Sequence, residues 1–109
     1  MKCITKVQAG VCGFTTQVVA DSSDDQIVRL SIESDCDKIC ALAEKLNGRE
    51  IDGYAEIGAG FDGVILSAVR SHLSGCCAGC AAPAGIFKAL QVAARVALPK
   101  DISITIATE

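Results

Sequence analysis

Apolar and polar residues alternate along several short stretches of the chain. Val28, Leu30 and Ile32 are separated by Arg29 and Ser31, and a repeat of two places alternate side chains on one face of a strand. Ile102, Ile104 and Ile106, separated by Ser103 and Thr105, repeat the pattern and predict a further strand. Residues 14–20, Phe14 to Ala20, carry β-branched side chains and run into the polar cluster Asp21-Ser22-Ser23-Asp24-Asp25. Such clusters turn the chain, so this stretch predicts a hairpin into the Val28 strand. Residues 2–8 form a weaker first strand, followed by Ala9-Gly10-Val11-Cys12-Gly13, where two glycines suit a tight turn.

Beyond Ser34-Asp35-Cys36 the period lengthens. Ile39, Leu42, Ala43 and Leu46 fall at helical spacing opposite Lys38, Glu44 and Lys45, which predicts a helix over 36–46, capped by Ser34 or Asp35 and stopped at Asn47-Gly48. A second helical pattern around Phe61, Val64, Ile65, Ala68 and Val69 ends near His72 or Leu73. A third places Ile86, Leu90, Ala93, Ala94 and Ala97 on one stripe and Lys88, Gln91 and Arg95 opposite, ending before Pro99. The predicted order is βββαααβ. It indicates one α+β domain over residues 1–109, in two layers: a four-stranded, mainly antiparallel sheet with helices on one face.

Composition narrows the partners. Of 109 residues, 50% are hydrophobic and 21% charged, and the net charge is -3. This is a globular balance. The absence of a basic cluster argues against a nucleic acid partner, because phosphate binding needs concentrated positive charge. The first residues have no apolar run resembling a signal peptide, and Lys38 and Arg70 interrupt the apolar stretches, so neither export nor a membrane span is expected. A cytoplasmic protein is the expectation.

That expectation makes the seven cysteines the outstanding feature. Where thiols stay reduced, cysteine enrichment points to metal binding or redox chemistry. Chain direction suggests where they go. If the first strand rises, the Gly10–Gly13 turn lies at the top; the second strand descends and the third returns Cys36 to that end. With three helices alternating in direction, the segment Ser74-Gly75-Cys76-Cys77-Ala78-Gly79-Cys80 reaches the same end. Cys36 opens one helix and Cys80 just precedes another, positions where free amide N–H groups stabilise anions. Thiolates suit zinc and iron–sulfur clusters. The expected ligand set is therefore Cys12, Cys36, Cys77 and Cys80, with Cys76 and His72 in reserve, binding a zinc ion or an iron–sulfur cluster.

Other readings compete. Cys77-Ala78-Gly79-Cys80 is a single C-x-x-C, and a thiol enzyme would use Cys80 or Cys77 as nucleophile and the other to resolve. Cys76 and Cys77, being adjacent, allow a strained vicinal disulfide. A third class is an interaction module, a homodimer with structural cysteines. Cys3, in a strand, and Cys40, one turn after Cys36, are expected to pack in the core, and His72 to contact the carbonyls ending its helix. The run Asp21–Asp25 lacks the alternating ligands of a calcium loop, Gly10 and Gly13 lack a following Gly-Lys-Ser/Thr, and no Ser-His-Asp set suggests a hydrolase.

Several motifs resemble a family. Ala9-Gly10-Val11-Cys12-Gly13-Phe14, Ser34-Asp35-Cys36, and the stretch from Cys80 through Pro83, Gly85-Ile86, Lys88-Ala89, Val92-Ala93, Ala97-Leu98-Pro99 and Asp101-Ile102 are similar to a family of bacterial and archaeal proteins of about this length, known only as a domain of unknown function. The resemblance spans nearly the whole chain and implies that Cys12, Cys36 and Cys80 form the shared set; it implies no activity. Two positions depart from the family pattern: Cys77 stands where a histidine is frequent, and Ala81 where proline is.

Overall fold

In the computed structural model, which describes residues 1–109, the first three alternating stretches become consecutive antiparallel strands: β1 Lys2–Gln8, β2 Thr15–Asp21 and β3 Ile27–Ser34. The register sets Cys3 opposite Ala20 and Val7 opposite Thr16, then Ala20 opposite Leu30 and Thr16 opposite Ser34. Alternation therefore carries across the sheet. Val18, Ala20, Val28, Leu30 and Ile32 are buried on one face, while Lys6, Arg29, Ser31 and Glu33 are exposed on the other.

The fold is α+β: a four-stranded antiparallel sheet of order β1-β2-β3-β4, with helices against its apolar face. The fourth strand lies earlier than the alternation at 102–106 indicated. It is β4, Glu50–Asp52, which pairs with β3 and sets Ile51 opposite Val28. Residues 101–109 form no strand, and Ile102, Ile104 and Ile106 are exposed. The reason is local. The preceding helix returns the chain beside β3, where Ile51 enters the core at 2% exposure, and one apolar residue among three displays no alternation to read.

That returning helix is α1, Asp37–Leu46, which buries Ile39, Leu42, Ala43 and Leu46 against β3. Its N-cap is Cys36, not Ser34 or Asp35, and no side chain caps it. A short helix absent from the periodicity, α2 Gly53–Ala59, follows β4. Its two glycines, Gly53 at its start and Gly58 within it, weaken the helical signal, and Asp52 compensates by accepting the N–H groups of Tyr54 and Ala55 at 3.0 and 3.1 Å. After a 3-10 turn at Gly60–Asp62, α3 spans Val64–His72. Its first N–H groups are taken by a side chain from outside the helix: the carboxylate of Glu56 accepts Val64 N–H at 2.7 Å and Ile65 N–H at 3.2 Å.

A 3-10 turn at Gly75–Gly79 leads to α4, Ala82–Ala93. This helix begins before Ile86, with Pro83 in its first turn, where the missing N–H of proline leaves no bond unmade. It stops short of Ala97 because Arg95 adopts φ 61°, with Arg95 N–H bonded to Val92 O and Val96 N–H to Gln91 O; this pair of bonds closes a helix end. Ile86, Ala89, Leu90 and Ala93 are fully buried over β1 and β2. Each large aliphatic side chain so buried contributes about 1.5–3 kcal/mol.

The stretch Gly75–Ala93 is long and apolar enough to cross a bilayer on composition alone, which the interruptions at Lys38 and Arg70 do not prevent. In the fold it is two helical pieces, and seven residues of α4 are buried, as in the core helix of a globular domain.

Candidate functional site

The register defines an upper end of the sheet, where β1 stops, β2 starts and β3 stops. The link between β1 and β2 is held by Ala9 N–H to Phe14 O at 3.0 Å and Gly13 N–H to Gly10 O at 2.9 Å. Gly10 and Gly13 take φ 89° and 75°, values that side chains disfavour, and Cys12 projects exposed between them. Cys36 follows the end of β3 by two residues. Cys80 precedes α4 by two, and α4 enters from this end: the hydroxyl of Thr5 donates to Gly85 O at 3.0 Å, while Ala94, just beyond the helix, lies beside Gly53 at the opposite end. The segments bearing Cys12, Cys36, and Cys76 to Cys80 thus reach the upper end of the sheet.

Cys36, Cys77 and Cys80 are each half-buried and pack against the main apolar cluster. Cys12 and Cys76 are exposed. No three side chains of histidine, cysteine, aspartate or glutamate lie close enough together to hold an ion; the segments share an end, and their ligand atoms are not gathered.

Two residues assigned above to helix capping instead brace the Cys36 loop. Asp35 accepts Thr15 N–H at 2.8 Å, tying the loop to the start of β2. The Ser34 hydroxyl accepts from Thr16 at 2.9 Å and from Cys36 N–H at 3.1 Å, and donates to Thr15 O at 3.2 Å. A Ser-Asp pair at a strand-to-helix junction is the sequence signal for such bracing, but it does not say which backbone groups are bound.

The remaining cysteines divide. Cys3 is half-buried against the core, and burial pushes its thiol above the ordinary range, so it stays protonated as a packing residue. Cys40, expected toward the core, is exposed, and its thiol donates to Ser34 O at 3.1 Å. One helical turn from Cys36 places it on the solvent side of α1, since Ile39, Leu42 and Ala43 already form the buried stripe.

Ala82 N–H, in the first turn of α4, donates to Cys80 Sγ at 3.4 Å. Cys80 N–H bonds to Cys77 O at 3.1 Å, which closes the C-x-x-C into one turn. His72 Nδ1–H donates to Ala68 O at 2.8 Å within its own helix, as expected, leaving Nε2 as its remaining nitrogen.

A model of a family of unknown function (DUF6951) matches residues 3–106, and so includes every cysteine in the chain. The chain belongs to this family. The DUF6951 match runs from β1 through the whole helical layer and takes in the isoleucines of the 102–106 segment. No curated protein matches the chain, and no solved structure does.

Proposed function

We propose that this protein binds a metal ion or an iron–sulfur cluster through Cys12, Cys36, Cys77 and Cys80 at the upper end of the sheet. One observation carries the reading: Cys36 and the Cys77–Cys80 pair come from different parts of the chain, yet all three thiols sit half-buried against the main apolar cluster, at an end where the Cys12 turn also emerges. An apolar floor beneath a group of thiols excludes water from one side of a bound ion and strengthens its attraction to thiolates. Coordination requires the Cys12, Cys36 and Cys77–Cys80 segments to draw together, since no three of these side chains are gathered in the fold, and metal binding commonly supplies the free energy for such ordering. Four thiolates satisfy tetrahedral zinc or a cluster equally. The ion or cluster is the partner in this reading, and a cytoplasmic setting, which keeps the thiols reduced, is part of it.

Serine substitution tests the shared set. Cys12→Ser and Cys36→Ser are each expected to lose the bound metal, although the two residues are far from the C-x-x-C in sequence. Full retention by both variants would restrict the site to Cys77 and Cys80.

The bond from Ala82 N–H to Cys80 Sγ favours a second reading, a thiol–disulfide enzyme. A helix follows the C-x-x-C directly. In this reading the Cys80 thiolate attacks a partner's disulfide, and Cys77 then displaces the partner as Cys77–Cys80 is oxidised; the partner takes up two electrons and leaves as a dithiol. Such a protein purifies without metal and reduces a small-molecule disulfide through Cys80, with Cys12→Ser unchanged in rate.

A further inference from the structure

A groove of about 640 Å³ runs between β1 and the flank of α4, and the chain that follows α4 forms its far wall. Cavities of about 300–1,000 Å³ are the size that takes small-molecule ligands. Every residue from Cys3 to Gln8 lines it, so at a strand's rise of about 3.4 Å per residue it is about 17 Å long. Its shape suits an extended molecule.

The lining combines apolar surface with positive charge. Cys3 and Val7 contribute from β1, Gly85 and Val92 from α4, and Leu98 and Ile102 from the far wall. Cys3 is uncharged, since burial raises its thiol above the ordinary range. Leu98 and Ile102 are 83% and 58% exposed, so the far wall presents apolar surface that the chain itself does not cover. Lys6, Lys88 and Lys100 line the same groove, and Asp101 is its one acidic residue. On a chain with 13 acidic residues and a net charge of -3, three lysines against one carboxylate make a locally positive site.

We propose that this groove binds a single-chain amphipathic anion, with a long-chain fatty carboxylate as the type. The two halves of the lining select that chemistry together. A small inorganic anion would leave the apolar wall bare, and an uncharged chain would leave the lysines without a counter-charge. A hydrocarbon chain laid along β1 covers Val7, Val92, Leu98 and Ile102, and its carboxylate accepts charge-assisted hydrogen bonds from the lysine ammonium groups. Lys6 lies between Thr5 and Val7, the β1 residues beside Gly85, and Lys88 is one helical turn on from Gly85. Those two lysines therefore stand on opposite walls near one level of the groove. This site lies along the side of the sheet and is independent of the thiol reading.

The test is titration of the full chain with dodecanoate below its micelle concentration, by calorimetry and by amide chemical shifts. The expected result is saturable binding at one site per chain, with shifts at Cys3–Gln8, along the first turns of α4 and at residues 98–104. Dodecyltrimethylammonium, which has the same chain and the opposite charge, is expected not to bind there. A variant carrying Lys6→Gln and Lys88→Gln is expected to bind dodecanoate about tenfold more weakly, as for the loss of one charged hydrogen bond. Absence of dodecanoate binding overturns the proposal, as do shifts confined to other surfaces, equal binding of the cationic chain, or undiminished binding by the folded double variant. Binding to vesicles of anionic phospholipid without binding of free dodecanoate also overturns it. If the variant does not fold, the shift map and the cationic control on the unaltered chain decide.

Discussion

The carboxylate of Glu56, 4% exposed, accepts the backbone N–H of Val64 at 2.7 Å and so begins a helix to which it does not belong. Gly63, the N-cap of α3, has no side chain to serve that role, and a Cβ there would lie 2.6 Å from Glu56 Oε2. Glu56→Ala leaves the N–H groups of Val64 and Ile65 without partners in a buried place, and an unsatisfied buried donor costs about 1–3 kcal/mol. Glu56→Gln keeps one acceptor and is expected to lose less. Denaturant midpoints of the two variants test this order; equal losses would contradict it.

The contact between α4 and β1 depends on Gly85. A Cβ at this position would collide with Val7 Cγ2, so Gly85→Ala is expected to push the helix off the strand and weaken the bond from the Thr5 hydroxyl to Gly85 O. Overpacking of this kind costs typically about 1–3 kcal/mol. Thr5→Val, which removes only the hydrogen bond, is expected to lose about 1 kcal/mol. Because both changes act on one contact, the double variant should lose less than the sum. Thermal or chemical unfolding of the single and double variants provides the comparison.

Two aspartates make the fold sensitive to acid. Asp24 is held below the ordinary carboxylate range by the N–H of Ile27, then by that of Gln26 and the Ser22 hydroxyl. Asp52 is lowered by the N–H of Ala55, the Gln26 amide and the N–H of Tyr54, against smaller opposing effects from partial desolvation and then from the charge of Asp24. Both are depressed in the folded state, so the stability they contribute is present above the unfolded carboxylate value, near ~3.9. It is lost as pH falls through that value toward the lower folded one. The denaturation midpoint is expected to fall between pH 5 and pH 3, and Asp52→Asn, which still caps α2 but cannot ionise, is expected to flatten that slope. An unchanged slope in both Asp24→Asn and Asp52→Asn would contradict the assignment.

Much of the fold is legible in the alternation and the helical stripes, and the departures have physical causes. β1 to β3 read correctly because exposure alternates along each, with the inner face buried in β2 and β3 and half-buried in β1. The strand at Glu50–Asp52 is invisible because its single apolar residue carries no period, and α2 because two glycines break its stripe while its stability comes from the Asp52 cap. The alternation at Ile102 to Ile106 has the period of a strand, but the segment pairs with no strand of the sheet and its isoleucines are exposed. For the cysteines, chain direction alone brings the Cys12, Cys36 and Cys77–Cys80 segments to one end. Side-chain orientation does not follow from direction, and it separates exposed Cys12 from half-buried Cys36, Cys77 and Cys80.

Metal content tests the central claim most directly. Protein purified without oxygen is to be measured by elemental analysis together with its visible absorbance. The expected result is stoichiometric zinc, or iron with matching sulfide and the colour of a cluster, bound per chain and released by thiol-blocking reagents. Metal-free protein that does not take up zinc, ferrous iron or a reconstituted cluster under those conditions would contradict the claim.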